Sequence, residues 1–184
     1  MTRLNNINGW PHLVENENVL VATVDGETEW GSFERFELIQ EKLDDELGEF
    51  YFLPSVEYEL LASGIRKEDL SKIGRDVDLS IRVAECLKVR YLLKYSVEGA
   101  RPAEIYQYSD EQYPLENGKV RLRWQIYDLL NLNVSPAFEV IASSMPIPLS
   151  SRDYVDVTGL ERLTLKAINR SCREIKKGMV KAED

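Results

Sequence analysis

Carboxylates are the most abundant side chains in this sequence that could carry out acid–base chemistry, with 32 acidic residues among 184. Asp25 follows one apolar run, and Glu57 and Glu59 follow another. Ligands of α/β proteins tend to bind beyond the ends of strands, so these three acids could form a small-ligand-binding or hydrolytic site. The acidic run at 44–46 is different. Consecutive positions on a helix fan outward, so this run predicts a solvated surface.

Histidine and cysteine are too few for most nucleophilic and metal sites. His12 is the only histidine, so a serine or cysteine nucleophile lacks a base, and a zinc site lacks three or four ligands. The turn DGETEWGS has no lysine to hold a phosphate. We therefore predict no catalytic, cofactor-binding or metal-binding residues. Cys86 and Cys172 are expected to be buried free thiols, with a disulfide between their two helices as the alternative.

The composition favours a soluble, folded protein that does not bind nucleic acid. Hydrophobic residues make up 43% of the chain and charged residues 30%, and 184 residues suffice for one sizeable core. The formal net charge of −9 repels a phosphate backbone. No apolar run approaches the ~20 residues that a membrane-spanning helix needs, so no transmembrane segment is predicted.

Aromatic residues in predicted loops are the strongest indication of a binding surface. Trp30 lies in a glycine-bounded loop, and Tyr106, Tyr108 and Tyr113 lie in a long connection over 100–118. Long loops are commonly functional, and aromatic residues are enriched at protein interfaces. We predict that these four residues bind a protein partner. The alternative is that they fold back and pack on the sheet.

The first part of the chain predicts a strand, a helix and a second strand. Residues 18–24, NVLVATV, are almost continuously apolar, as in a central strand covered on both faces. A helix follows, which Ser32 can cap and Gly48 can end. The segment EFYFLP predicts a short strand that closes at Pro54. The two strands are expected to be parallel, because a helix joins them.

The middle of the chain predicts more helices and then a strand. Residues 55–73 indicate two short helical pieces that are broken at Gly64. Asp76 or Asp78 can cap the next helix. Its predicted buried face comprises Val77, Ile81, Ala84 and Leu87. At Arg90 the apolar period changes from 3.6 to 2, which predicts a strand that follows the helix without a glycine or proline.

The last part predicts a hairpin and a final helix. Residues 119–130 alternate apolar and polar side chains, as in an antiparallel strand with one wet face, and 137–145 is its predicted partner. Thr158 and Glu161 have the spacing of a capping box, and Gly178 can end the helix that follows.

Together these elements predict one α/β domain over 18–180, preceded by an arm over 1–17 that lies on the surface. The domain has a mixed sheet flanked by helices. It combines a parallel strand–helix–strand unit, an antiparallel hairpin and a docked C-terminal helix.

The order of these elements resembles a known domain. NVLVATV, FYFLP, LKVRYLLKYSVEG and VRLRWQIYDLLN follow one another as in the domain shared by the curli-secretion lipoproteins, the outer-membrane lipoprotein activators of penicillin-binding proteins, and the amino-terminal domain of TolB. The resemblance covers 18–178. It implies an α/β fold and a protein that acts by binding other proteins, with no catalytic residues.

The resemblance implies a non-enzymatic accessory or assembly protein of the cell envelope that acts through protein partners. Whether the chain also forms a homo-oligomer stays open. The strand-end carboxylates leave a ligand-binding or hydrolytic enzyme as one alternative. Arg121 and Arg123 on one strand face, with a loose likeness to anticodon-binding domains, leave a nucleic-acid-binding domain as another. The compartment and lipid tethering stay open: a removed signal would imply the periplasm or outer membrane, and a native start at Met1 the cytoplasm.

Overall fold

The computed structural model describes residues 2–5, 13–14, 17–23, 32–47, 50–101, 104–108, 111–116, 118–144 and 160–180. The strands are β1 (Thr2–Asn5), β2 (Leu13–Val14), β3 (Val19–Thr23), β4 (Tyr51–Phe52), β5 (Tyr91–Arg101), β6 (Glu104–Tyr108), β7 (Glu111–Glu116), β8 (Lys119–Asp128), β9 (Asn133–Val134), β10 (Phe138–Ser143) and β11 (Met179–Val180). The helices are α1 (Ser32–Leu47), α2 (Leu53–Ala62), α3 (Val77–Leu87) and α4 (Leu160–Lys177), with a 3₁₀ helix over Lys67–Lys72.

The main sheet is mixed, as the sequence predicts. Its strands lie in the order β1-β10-β8-β5-β3-β4, and β9 pairs with the end of β8. β3 is parallel to both β4 and β5, which confirms the parallel strand–helix–strand unit. β5, β8, β10 and β1 are antiparallel in turn, which confirms the hairpin of β8 with β10.

Helices α1 and α4 cover one face of this sheet. Alternate residues of β8 point into that layer, and Trp124 at its centre has no exposed surface. The indole nitrogen of Trp124 donates to the hydroxyl of Ser171 on α4 at 2.8 Å, so the buried N–H is satisfied. The helix α4 is therefore docked on the sheet, as predicted, and Cys172 is a buried free thiol within it.

Helices α2 and α3 and the 3₁₀ helix cover the other face, but only at β3 and β5. Leu20 and Ala22 of β3 and Leu92 of β5 pack with these helices in a second apolar cluster. Because side chains alternate along a strand, β3 is buried on both sides, as predicted for an almost continuous apolar run. Among the described residues of β8, only Tyr127 packs against this cluster. These helices therefore leave most of this face of β8 uncovered.

The second predicted strand is shorter than expected. Only Tyr51 and Phe52 form β4, and α2 begins at Leu53. Pro54 lies in the first turn of that helix. A proline is tolerated there because the first turn leaves its backbone N–H groups unbonded in any case. The expected break at Gly64 is confirmed, since this residue has φ +71° between α2 and the 3₁₀ helix.

The cap of α3 is confirmed, but its predicted buried face is only partly right: Ala84 is buried and Leu87 is half-buried, as predicted. The Asp76 carboxylate accepts a hydrogen bond from the backbone N–H of Leu79 at 3.0 Å. Val77 and Ile81 are 49% and 38% exposed. The buried residues are Leu79, Ser80, Val83 and Ala84. Ser80 can be buried because its hydroxyl donates to the carbonyl of Asp76 at 2.8 Å, which a count of apolar side chains does not detect.

The described parts of residues 1–17 do not lie on the surface as an arm. Thr2–Asn5 forms the edge strand β1, paired with β10. Leu13 is 1% exposed and belongs to the cluster beneath α1 and α4, and β2 pairs with β11. Backbone pairing and one buried leucine therefore anchor these segments, and the prediction of a surface arm is wrong for them. His12 lies outside the described residues.

The junction between α3 and β5 turns without glycine because Lys88 adopts the left-handed conformation, with φ +53° and ψ +41°. Its backbone N–H donates to the carbonyl of Ala84, which ends the helix. The next residue, Val89, is buried in the second cluster, and Tyr91 begins the strand. One residue in an unusual conformation thus replaces a turn.

Glycine at position 88 should stabilise the protein. A non-glycine residue in the left-handed region costs about 1 kcal/mol, and the Lys88 side chain is exposed. We expect Lys88→Gly to raise the free energy of unfolding by roughly 0.5 to 1 kcal/mol in urea denaturation. The control is Lys166→Gly within α4, which should lower it by about 1 kcal/mol. A loss of stability in both variants would contradict this account of the junction.

Candidate functional site

The predicted long connection between two strands is a β-hairpin. β6 and β7 form a separate two-stranded sheet, in which Tyr106 lies directly opposite Tyr113 and Tyr108 lies opposite Glu111. The prediction of a loop over 100–118 is therefore wrong for 104–108 and 111–116. The structure brings three of the four predicted partner-binding residues into this hairpin. Trp30 lies outside the described residues.

The hairpin lies in the chain between two central strands of the main sheet, β5 and β8. β5 and β8 are paired from Tyr91 opposite Asp128 to Arg101 opposite Lys119. In the chain, β6 follows β5 and β7 precedes β8. The register of β5 and β8 shifts between Glu98 and Arg101. Such irregularities bend a strand and increase its twist. Within the described residues the hairpin has no further strand partner, so the outer edge of each of its strands is unpaired.

The predicted carboxylate site is not assembled by the described residues. Glu57 and Glu59 lie on α2, where Glu57 is half-buried and Glu59 is exposed. Asp25 lies outside the described residues. In the part of the chain that the structure describes, no three His, Cys, Asp or Glu side chains converge as metal ligands would.

A small cleft lies at the end of the β5–β8 pair that is away from the hairpin. Its volume is about 40 Å³, room for little more than ordered water. Tyr127 and Asp128 line it where β8 ends beside the start of β5, so it lies at the opposite end from the carboxyl ends of the parallel strands. Val77, Leu132 and Val134 also line it, and all three are exposed. We call these three residues the apolar rim.

The turn after β8 presents part of the apolar rim. The Asp128 carboxylate accepts from the backbone N–H groups of Leu130 and Asn131 at 3.2 and 3.0 Å. Leu130 is 60% exposed, although its backbone is held in place. The sequence did not predict the exposure of Leu130 or of the rim residue Leu132, because an exposed leucine after a strand does not differ in pattern from a buried one.

The two arginines that favoured a nucleic-acid-binding domain differ in their surroundings. Arg121 forms ion pairs of 3.6 Å with Glu98 and with Glu139, so its charge is compensated on the face that it shares with them. Arg123 is exposed. The alternation of β8 into a buried and a wetter face is confirmed.

Lys94 is the most unusual ionisable residue on this face, and no prediction included it. It is only 5% exposed, on the central strand β5, and its ammonium group lies 4.4 Å from the centre of the Tyr127 ring. Burial lowers the pKa of Lys94 to about 8. The sequence does hold a signal for it, because a basic residue that follows Leu92 and Leu93 and precedes Tyr95 interrupts an apolar run of a predicted strand.

No protein-family model matches the sequence, and no curated protein matches it. Solved structures do. PelC from Paraburkholderia phytofirmans, crystallised as a dodecamer, has a TM-score of 0.54 at 15% identity, covering 95% of this chain and 96% of that chain. Lipoprotein GNA1162 from Neisseria meningitidis has a TM-score of 0.45 at 10% identity, covering 85% and 99%. The C-terminal domain of LpoB from Escherichia coli has a TM-score of 0.44 at 17% identity, covering 70% and 83%.

The similarity to PelC confirms the α/β fold that the resemblance implied. At 15% identity it is a similarity of fold, and fold alone does not establish function. The other two scores are too low to support an argument. Among the described residues, no helix is long and apolar enough to cross a membrane.

Replacement of Lys94 should change how stability depends on pH. The folded chain releases the Lys94 proton near pH 8, whereas the unfolded chain keeps it until its ordinary value of 10.5. The unfolded state thus binds more protons in this window, so the Lys94 contribution makes the wild type more stable as pH rises. We expect the stability advantage of Lys94→Met over wild type to shrink by on the order of 2 kcal/mol from pH 8 to 10.5.

The measurement is urea unfolding of both proteins at several pH values. Burial raises the pKa of Tyr95 and raises that of Cys172 to about 11, and both groups lower stability at high pH. Both proteins contain these groups, so the difference between the two curves cancels them. A difference that stays constant with pH would show that the Lys94 amine is not perturbed.

Proposed function

We propose that this protein is a non-enzymatic accessory or assembly protein of the cell envelope that acts through protein–protein contacts, with Trp30, Tyr106, Tyr108 and Tyr113 on its contact surface. The observation that carries the proposal is the β6–β7 hairpin, a two-stranded sheet that extends from central strands and has no further strand partner among the described residues. The envelope location rests on the resemblance alone.

The physics of a two-stranded hairpin supports a contact role. An isolated hairpin is at best marginally stable in water, and three strands or a covering layer are usually needed. Its outer backbone edges are templates for pairing with another chain. Tyrosine combines a large apolar ring with a hydroxyl, and it is enriched among the residues that dominate binding energy. A partner that covers this hairpin would provide the missing layer and pair with its outer backbone edges.

Self-association is the form of contact that we propose to test first. PelC, whose fold is similar, forms a dodecamer. A homo-oligomer also needs no other partner, so it can be measured with the purified chain. We propose that the single domain predicted over 18–180 also includes β1 and β2, because β1 pairs with the main sheet and Leu13 is buried in its core.

The apolar rim is a second exposed surface, and it provides a comparison. Val77, Leu132 and Val134 surround the cleft at the opposite end of the β5–β8 pair from the hairpin. Exposed apolar patches commonly mark sites of protein interaction. Association through the apolar rim and association through the hairpin therefore predict different sensitive variants.

Alanine at Trp30, Tyr106, Tyr108 and Tyr113 together should weaken association without unfolding the protein. We expect sedimentation velocity to show at least a tenfold weaker self-association, while Tm changes by less than about 3 °C, because truncation at an interface removes contact area and leaves the core intact. The matched control is Tyr58→Ala on α2, a tyrosine that is 82% exposed. That variant should associate like wild type.

Two results would contradict the proposal. A large fall in Tm in the fourfold variant would mean that these aromatic residues pack against the sheet. Unchanged association in that variant, with a loss in Leu132→Ser, would move the contact to the apolar rim. If the wild-type chain is monomeric at every concentration, the same variants are compared for capture of an envelope protein fraction.

A further inference from the structure

The sheet face of β8 that α1 and α4 do not cover is rich in cations. Lys119, Arg121 and Arg123 occupy alternate positions of β8 on this side, and Lys94 of β5 lies beside them. Among the described side chains of this face, the carboxylates are Glu98 of β5 and Glu139 of β10. The excess of positive charge is notable in a chain whose formal net charge is −9.

Ion pairs neutralise only part of this face. Both carboxylates lie 3.6 Å from the guanidinium group of Arg121. In the part of the chain that the structure describes, no carboxylate forms an ion pair with Arg123, with Lys94 or with Arg75 of the loop before α3. A buried ammonium group such as that of Lys94 is costly unless an opposite charge compensates it.

These three cations, which form no ion pair among the described residues, lie near one side chain, Tyr127. Glu139 lies opposite one of them, Arg123, in the register of β8 and β10. The Lys94 ammonium group lies 4.4 Å from the centre of its ring. The ring edge packs against Gly74, where an added Cβ would stand 2.6 Å from the Tyr127 Cε1 atom. This contact holds the backbone next to Arg75 against the ring. Burial raises the pKa of the Tyr127 hydroxyl, and the nearby guanidinium groups of Arg123 and Arg75 lower it.

Neutral hydrogen-bonding groups complete the arrangement. The Tyr127 hydroxyl donates to the Gln125 amide oxygen at 2.8 Å, and Gln125 lies directly opposite Lys94 in the register of β5 and β8. Ser96 lies opposite Arg123 in the same register and is half-buried. Diagonal neighbours on one face of an antiparallel pair are about 7 to 8 Å apart. Lys94 and Arg123 are such neighbours, and one anion of four or five atoms can contact both.

We propose that Lys94, Arg123 and Arg75, arranged around Tyr127, form a binding site for an oxyanion, either a phosphate group or a carboxylate. Two arginines provide planar pairs of donors that match such an anion, and the lysine provides a compensated buried charge once the anion is bound. The site lies on the open sheet face and shares no residue with the hairpin. It is therefore independent of the proposed protein contacts.

Inorganic phosphate and acetate are the probes that test this site. Wild-type protein with ¹³C-labelled lysine is titrated with each, and NMR follows the Lys94 Cε resonance at pH 7. We expect a saturable shift with at least one probe, and a rise in the apparent pKa of Lys94 in its presence, because a bound anion favours the charged amine. Sodium chloride at matched ionic strength should produce only a small, non-saturating shift.

Variants distinguish a specific site from general attraction. Arg123→Gln and Arg75→Gln should each weaken the binding at least fivefold, and the double variant should abolish it. The matched control is Arg173→Gln, which removes the same charge from an exposed position on α4, against the opposite face of the sheet. Both arginines of the site are exposed, so their replacement should leave the fold intact.

The results of these titrations distinguish a phosphate from a carboxylate ligand, and they can also disprove the proposed site. Saturation by phosphate but not acetate assigns a phosphate ligand, and the reverse assigns a carboxylate. The proposal is wrong if neither probe gives a saturable shift at Lys94, or if the double variant binds as tightly as wild type. It is equally wrong if Arg173→Gln weakens binding as much as Arg123→Gln, since net charge alone would then explain the attraction.

Discussion

The hydrogen bonds at the start of β5 are the interaction on which the rest of the structure depends. The carbonyl of Asn18 accepts from the backbone N–H groups of Arg90 and Tyr91 at 3.0 and 3.3 Å, and its side-chain amide donates to the carbonyl of Lys88 at 3.0 Å. The carbonyl of Arg90 accepts from the N–H of Leu129 at 2.8 Å. Residues before β3 and after β8 are thus joined to one junction, and the register of three strands is set there.

The Arg90 side chain reinforces the same junction. Its guanidinium group lies 3.1 Å from a Glu17 oxygen and 3.4 Å from an Asp128 oxygen, and it also lies over the Tyr91 ring at 5.0 Å. Asp128 in turn holds the turn after β8. Because β5 is parallel to β3 and antiparallel to β8, this point joins the two halves of the mixed sheet. The left-handed Lys88 is tolerated since the bonds around it fix the chain on both sides.

The sequence predicts those elements whose pattern of apolar and polar residues lies within the element itself. The apolar run of β3 and the alternation of β8 were both predicted, since each follows from the period of its own residues. The prediction of a long connection missed the hairpin, which contains Pro114. Proline is excluded from central strands only, and Pro114 lies opposite Ile105 in a two-stranded sheet, where every strand is an edge.

The candidate sites were harder to predict, because they depend on which faces of the sheet the helices leave uncovered. The alternation of β8 predicts one wet face but does not show where the second helical layer ends, and Lys94 becomes unusual only when β5 is central. The same arrangement determines what the hairpin can do. From Tyr91 to Glu98 the β5–β8 pair keeps one register. On its two sides, β3 pairs with β5 as far as Tyr95, and β10 pairs with β8 as far as Lys119. Among the described residues no strand pairs with the outer edges of the hairpin, and these edges are what supports the proposed contact with another chain.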